Sequence, residues 1–582
     1  MTSRAPFEPT SRSRSEPTIK EVSSTVAVLA VFACAPAALV VGAQVTHALN
    51  VASFWAILGF GLLVLVGTGS VGLRSWRFVR VAKPTGAEGW WWAAMAVLIT
   101  ATFGVVFVWS WRVPSSRGVD LAHHAAITAW IREHQAFPTT RVPQLDEYST
   151  YPNGAHIVAA TLMWVFRWPA LSATWVVGLG AVFSSWLFEA AIVARLVGRR
   201  WVVSLVVPVV SLMSWRYTIG MMSWDQFFSQ VVGLAFLIAA VMVAVVGVES
   251  IAVRAWLPPV LLLSAAGILC FPSQAALAPM MLFGVAFAHV LQPNGDRWRP
   301  SRRTLGLLIV SAVTLAGAAV VIGRRIDFSR RTLAGHGEGE VAHLTLRTSG
   351  GVVVVILAAV GALVALRSTR RGDEGSGAML GAVLAPALTA LAFISLRHGF
   401  PTRIPIYNYR IAKNAYTAAP FVVVLASLGA TCCLGRPRPN FKPVEGRELL
   451  FGFGAVAVAL SLLTQPTYRS NAHNPILTPR QLAFAERVGH RYPPEQVAIV
   501  GRDLVPFHVW WTSIRRRVDP STGMVPMADR TTRWEAWPLG STERYLLAIG
   551  EPYVTAIAAR AGVSIVERRG DAVLFERLRG GY

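Results

Sequence analysis

The chain has 582 residues, of which 54% are hydrophobic and only 14% charged, with a mean hydropathy of +0.50. Soluble domains carry about 25% charged residues, so a water-soluble enzyme built on one core is excluded. The formal net charge of +24 comes from 54 Lys+Arg against 30 Asp+Glu, and all but Lys20, Lys83, Lys413 and Lys442 of those cations are arginines. In a membrane protein that excess points to anionic lipid surfaces and loop orientation rather than to nucleic acid. Cys34, Cys270, Cys432 and Cys433 all fall in apolar runs, which argues against a disulfide framework or a CxxC metal site.

Residues 1–21 are rich in Ser, Thr, Pro and Arg without apolar periodicity, and are expected to be a disordered cytoplasmic tail. The run Val22–Gln44 is too long for a signal-peptide core and a second span follows at once, so it is expected to be retained. Val31-Phe32-Ala33-Cys34 resembles a lipoprotein cleavage site only loosely, because Phe32 fits it poorly. Further spans are expected at 51–72, 89–111, 172–194, 201–217, 227–248, 256–271, 274–291, 304–323, 349–366, 377–396, 412–433 and 447–464. The fold class is therefore mostly α: a polytopic helical membrane protein of about thirteen spans over 22–464.

With the N-terminus inside, the basic loops Arg74–Lys83, Arg195–Arg200, Arg297–Arg303, Arg367–Arg371 and Arg436–Arg447 all fall on the cytoplasmic side. That agreement requires Gly154–Phe166, only 13 residues long, to be a re-entrant or interfacial helix. It also places three features outside: the loop 112–153, the loops 324–348 and 397–411, and the tail 465–582. The tail contains short strand patterns at 496–501, 544–550, 563–567 and 572–576, with helical stretches near 479–490 and 552–561. It is expected to be a small extracytoplasmic α/β domain. His508, Trp510, Trp511, Arg515, Arg516 and Arg517 form either a patch for sugar or polymer or a strand edge packed on the membrane domain.

Candidate chemistry gathers in the outer loops. Asp120 opens a helix in which His123 and His124 follow at three and four residues, which sets both near the Asp120 face. A carboxylate beside imidazoles suits general-base work or a divalent cation, for which Asp120 and His124 are the candidate ligands. The plain alternative is a helix cap with solvated histidines at the interface. Tyr151-Pro152-Asn153-Gly154 turns into an apolar run that carries His156. Tyr151, Asn153, His156 and Asp225 are the candidate substrate contacts, although Asp225 could instead cap the following span. Arg397, Arg403, Arg410 and Lys413 lie in or next to the 397–411 loop against the charge rule, and Arg offers a fork of donors suited to phosphate oxygens. Attraction to anionic lipid headgroups is the competing explanation.

No Walker A loop, HExxH, nucleophile elbow or DxD motif is present, so an enzyme of this kind would need an activated substrate. The early acid in VDLAHH, the YPNGAH turn, the cationic outer loops and the α/β tail resemble the GT-C superfamily. These are polytopic glycosyltransferases that use polyprenyl-phosphate sugars on the outer membrane face. The likeness is strongest to multi-pass actinobacterial members, some of which build arabinan and mannan polymers of the cell envelope. Many of them carry paired acids, where this chain has Asp120 followed by Leu121.

The resemblance implies sugar transfer from a polyprenyl phosphate to an envelope glycan or glycolipid. Asp120 would act as base, assisted by His123 or His124, and Arg397, Arg403, Arg410 and Lys413 would hold the lipid phosphate. It implies at most a divalent cation (Mg, Mn or Ca), no nucleotide or redox cofactor, and a multi-pass protein of the plasma membrane. A transporter or flippase for an anionic lipid-linked substrate is the main alternative, and a noncatalytic polymer-binding scaffold is another. A transporter should bury ionisable residues inside its spans, which here read as nearly charge-free.

Overall fold

The computed structural model describes residues 21–76, 80–82, 113–114, 120–138, 145, 151–197, 200–213, 222, 227–250, 253–290, 306, 308–313, 317, 349–371, 373–384, 409–433, 475–493, 496–501, 509 and 543–578. For some residues at helix ends, among them Asp120, Arg410 and Lys413, the description covers the backbone alone. The expected spans at 89–111 and 447–464 lie outside the described residues, as do parts of those at 304–323 and 377–396.

The membrane part is built from α1 (Ser24–Ala48), α2 (Phe54–Trp76), α3 (Asp120–His134), α4 (Gly154–Phe166), α5 (Ala170–Val197), α6 (Arg200–Met213), α7 (Phe228–Ser250), α8 (Val253–Cys270), α9 (Leu277–Val290), α10 (Ser349–Arg370) and α11 (Tyr409–Cys433). Five of these, α1, α5, α7, α10 and α11, contain segments long and apolar enough to cross a membrane. The protein is a multi-pass membrane protein. Its central helix is α7, 94% buried over its most apolar window, whereas α10 is only 28% buried over its own. A helix apolar all round belongs in a protein or lipid interior. Accordingly Phe32 on α1, Trp55, Leu62 and Leu63 on α2, and Ile356 and Leu363 on α10 are exposed, as side chains facing lipid would be.

Small residues let helices approach closely where lipid provides no hydrophobic drive between them. Gly361 on α10 and Gly429 on α11 face each other so closely that a Cβ on either would strike the partner's backbone, at Leu425 and Leu357 respectively.

Two helices do not follow the bundle pattern. α3 and α4 run side by side, meeting near their N-termini through His124 and His156. Toward their other ends, Gln135 Oε1 just past α3 accepts from the Phe54 amide at 3.1 Å, and Trp164 of α4 stacks on the Phe54 ring at 5.4 Å. At its start α4 is pinned to α8, where a Cβ on Gly154 would lie 2.8 Å from the Leu269 carbonyl. The α3–α4 pair thus bridges the α8–α9 turn (271–276) and the α1–α2 turn (49–53).

A 13-residue helix is about 20 Å long, too short to join opposite faces of a hydrocarbon layer ~30 Å thick. α4 is therefore too short to cross the membrane by itself.

The C-terminal region carries β5 (Val497–Gly501), β6 (Tyr545–Ile549), β7 (Val563–Arg569) and β8 (Ala572–Arg577) in one mixed sheet. Its order is β5-β6-β8-β7, parallel between β5 and β6 and antiparallel elsewhere. Alternation gives it two apolar faces. Leu546, Ala548, Val573 and Phe575 pack on Val554 and Ile557 of α13 (Glu551–Ala558). Leu547, Ile549 and Leu574 lie in one apolar cluster with Phe484 of α12 (Pro479–Arg491). Thr478 starts α12 with a reciprocal capping box to Gln481. Besides the short pair β1 (Glu21–Ser23) and β2 (Arg80–Ala82), one further pairing matters. β3 (Val113–Pro114), just before α3, pairs antiparallel with β4 (Pro475–Leu477), just before α12. The sheet is thereby tethered at the start of the bridge.

Candidate functional site

The bridge gathers the loop residues. The Ala-rich stretch after Asp120 has high helix propensity, and the helix stops where Gln135 adopts φ +54° ahead of Pro138. Thr128 ties it down: its hydroxyl donates to the His124 carbonyl at 2.9 Å, and the Thr174 hydroxyl of α5 donates to Thr128 Oγ1 at 3.2 Å. Leu121, Ala125 and Ile127 are wholly buried, so α3 lies embedded in protein along its apolar side.

His124 Nδ1 and His156 Nε2 are 3.0 Å apart, a hydrogen bond between segments 32 residues distant in sequence. The His124 ring packs against Tyr151 at 5.1 Å and Phe228 at 5.5 Å. His156 packs against the same Phe228 at 5.4 Å. His156 is 0% exposed and His124 4%. Complete burial pushes the His156 imidazole down to about 3, only partly offset by the nearby backbone carbonyls of Pro152 and Asn153, so it is neutral across the physiological range. His123 is also buried. Asn153 opens α4 through its carbonyl, which accepts from His156 N at 3.1 Å. Its side chain does not cap the helix, and Oδ1 is enclosed without a partner among the described residues.

A second layer adjoins the first on α7. Gln230 Nε2 donates to Thr417 Oγ1 of α11 at 3.0 Å, and Gln274 Nε2 in the α8–α9 turn donates to the Gln230 carbonyl at 3.0 Å. Phe227 meets Tyr416 edge to face at 5.5 Å. These contacts bring the start of α11 to the start of α7. Lys413 lies one turn, and Arg410 two turns, N-terminal to Tyr416–Thr417 on the same helix.

Of the sequence-predicted residues, the structure brings together His124, Tyr151 and His156, with His123 and Asn153 alongside. Asp120 is the first residue of α3, one turn before His124, and its side chain lies outside the described residues. Arg410 and Lys413 are on α11 with side chains likewise outside. Asp225, Arg397, Arg403, His508 and Arg515–Arg517 lie outside the described residues altogether.

Sequence reasoning passes over Phe228, Gln230, Gln274 and Thr417, because an isolated aromatic or polar residue at a span end carries no spacing signal. It also passes over Glu189, which is 1% exposed within α5.

The described side chains do not assemble a cation site. His124 Nδ1 and His156 Nε2 are committed to each other, and no group of three or more His, Cys, Asp and Glu is positioned for a metal among the described residues. What the arrangement offers is a buried cluster of aromatic and imidazole rings with a few fixed polar atoms.

No curated protein matches the chain. Among solved structures it is similar to the oligosaccharyltransferase AglB of Archaeoglobus fulgidus, in complex with an inhibitory peptide and a dolichol-phosphate. That likeness has a TM-score of 0.44 at 14% identity, over 80% of this chain and 70% of the other. It is also similar to ArnT of Cupriavidus metallidurans bound to undecaprenyl phosphate, with a TM-score of 0.42 at 12% identity over 86% of this chain and 99% of the other. The apo state of ArnT gives 0.42 at 13% identity, over 84% and 98%. A family model described as a family of unknown function matches residues 20–373, which include the whole α3–α4 bridge. That match spans more than half of the sequence, and the chain belongs to the family of unknown function DUF6541.

Proposed function

We propose that the protein is a membrane glycosyltransferase that moves a sugar from a polyprenyl-phosphate donor to a cell-envelope glycan or glycolipid on the outer face of the plasma membrane. The observation that carries this reading is the convergence of the two motif segments. VDLAHH and YPNGAH, distant in sequence, meet at 3.0 Å through His124 and His156. In this reading the bridge lies along the outer membrane face, where a lipid-linked donor presents its headgroup.

In this reading Asp120 accepts the proton of the acceptor hydroxyl as that oxygen attacks the anomeric carbon, and no covalent enzyme intermediate is needed. The polyprenyl phosphate departs with its electron pair. Its developing charge is held by cations, for which Arg410 and Lys413 at the start of α11 are best placed and Arg397 and Arg403 are further candidates. Tyr151 and Asn153 contact the sugars from the turn before α4. No step requires a metal ion.

Glu189 keeps a second reading in play, since an ionisable side chain buried in a span is what a transporter would carry. The test is to incubate the purified protein in lipid with radiolabelled polyprenyl-phosphate sugars and a crude envelope acceptor. Label moving into the acceptor supports the enzyme. Label that crosses the bilayer with its lipid and is never transferred supports the transporter.

A further inference from the structure

The far end of the bridge is unlike its start. α4 is largely buried over its first two turns, but Val165 and Phe166 at its end are exposed, Phe166 by 56%. The chain then turns through Arg167, which takes φ +54° and is itself exposed. Just beyond it, the Trp168 ring stacks on Phe166 at 5.2 Å. Beside this end of α4 stands Trp55, in the first turn of α2 and 73% exposed, its ring set edge to face on Trp164 at 5.0 Å. Trp164 in turn stacks on the wholly buried Phe54, so these rings have a fixed footing in the protein and an exposed outer surface.

The surface around the patch indicates what covers it. Trp55, Leu62 and Val66 are spaced at seven and four residues, which sets them on one face of α2, and all three are exposed. Leu62 and Val66 lie within the apolar stretch Phe54–Ser70, for which lipid chains are the matching surroundings. Trp55 ends that stripe next to the connection with α1, whose own apolar segment ends at Ala48. A large ring with one polar N–H, placed where an apolar stripe stops, suits the zone between acyl chains and headgroups. Arg167 adds an exposed cation whose fork of donors matches lipid phosphate oxygens.

We propose that the start of α2 and the end of α4 form a membrane anchor, in which Trp55, Trp164, Phe166 and Trp168 sit at the boundary of headgroups and acyl chains and Arg167 meets the lipid phosphates. The partner is the bilayer itself, and Arg167 favours its anionic lipids. This anchor requires only that the chain span a membrane, and it is independent of glycosyl transfer. Phe166 lies ten residues after His156, about 15 Å along α4. Seating that end of α4 in the boundary therefore keeps the His124–His156 pair within ~15 Å of the headgroup level.

The experiment uses the full-length protein in nanodiscs of phosphatidylcholine and phosphatidylglycerol. The exposed Cys432 and Cys433 are changed to Ser, and a bimane probe is attached at Val165→Cys or, as the deeper reference, at Leu62→Cys. Both positions are exposed, so the labels avoid the packed interior. Depth is read from quenching by lipids that carry nitroxides at the headgroup or along the acyl chain. The probe at 165 should lie ~5–10 Å into the boundary. The probe at 62 should lie up to about 10 Å deeper, because seven helical residues separate it from Trp55. Nitroxide-bearing phosphatidylglycerol should quench the 165 probe up to ~5-fold more than the matching choline lipid, and Arg167→Gln should abolish that difference.

A 165 probe quenched by aqueous iodide but not by lipid would overturn the proposal, as would one as deep as the probe at 62. A 165 probe shielded from both water and lipid would also overturn it, since protein would then cover the patch. Equal quenching by the two lipids in the wild type would remove Arg167 from the anchor.

Discussion

α7 holds two kinds of interior within one helix. From Leu234 to Val246 every residue is buried and apolar, and its neighbours contribute shape alone. Its first turn is also buried, yet Phe228 touches two histidines and Gln230 links α11 and the α8–α9 turn. The apolar half gains stability from close packing and tolerates volume-conserving change. The polar half draws on a few hydrogen bonds whose loss leaves a buried partner unsatisfied. Part of the helix bundle is thus a scaffold for the face that carries the bridge, and substitutions in the two regions should fail in different ways.

The largest expected effect is at Asp120. Asp120→Asn should lower sugar transfer by ~10²–10⁴-fold, as removal of a general base does, while binding of the lipid donor measured by fluorescence quenching persists. A smaller effect, and one on folding, is expected where α4 meets α8. Gly154→Val would push a side chain into the Leu269 carbonyl and should destabilise the protein by ~1–3 kcal/mol. Gly180 on α5 has open space around it, with nothing within 4 Å of where a Cβ would stand, so Gly180→Ala should be neutral or slightly stabilising in the same thermal-shift assay.

At α11, Thr417→Val removes the hydrogen bond that it accepts from the Gln230 amide, and loss of a buried hydrogen bond costs ~0.5–1.5 kcal/mol. That change should lower the melting temperature without altering the pH profile. The smallest effect is expected at Glu189. Glu189→Gln keeps the size of a side chain that takes no part in the bridge, so transfer should be unchanged; loss of a transport activity in that variant would favour the rival reading.

Much of the bundle is legible in the sequence because membrane spans announce themselves by length and apolarity. The expected 227–248 and α7 differ by a residue or two at each end, and Gly154–Phe166 is recognisable as too short to cross. The candidate site is legible in part. His123 and His124 follow from helical spacing after Asp120, and YPNGAH stands out as a turn. Their meeting is not derivable, because nothing in either segment specifies that His124 should find His156 rather than solvent; α5, α7 and α8 impose it through packing. Gln230, Gln274 and Thr417 are invisible for the same reason, since a polar residue near a span end looks alike whether it faces headgroups or another helix. Glu189 escapes notice because a single acid in a 28-residue helix barely alters its hydropathy.

The most direct test of the central claim, that the start of α3 and the start of α4 form one catalytic centre, is a double-mutant cycle on sugar transfer. It would measure kcat/KM for wild type, Asp120→Asn, His124→Gln and the double variant. Residues that act as a unit are strongly non-additive, so the double variant should be scarcely worse than Asp120→Asn alone. Losses that multiply, as they do for independent sites, would contradict the account.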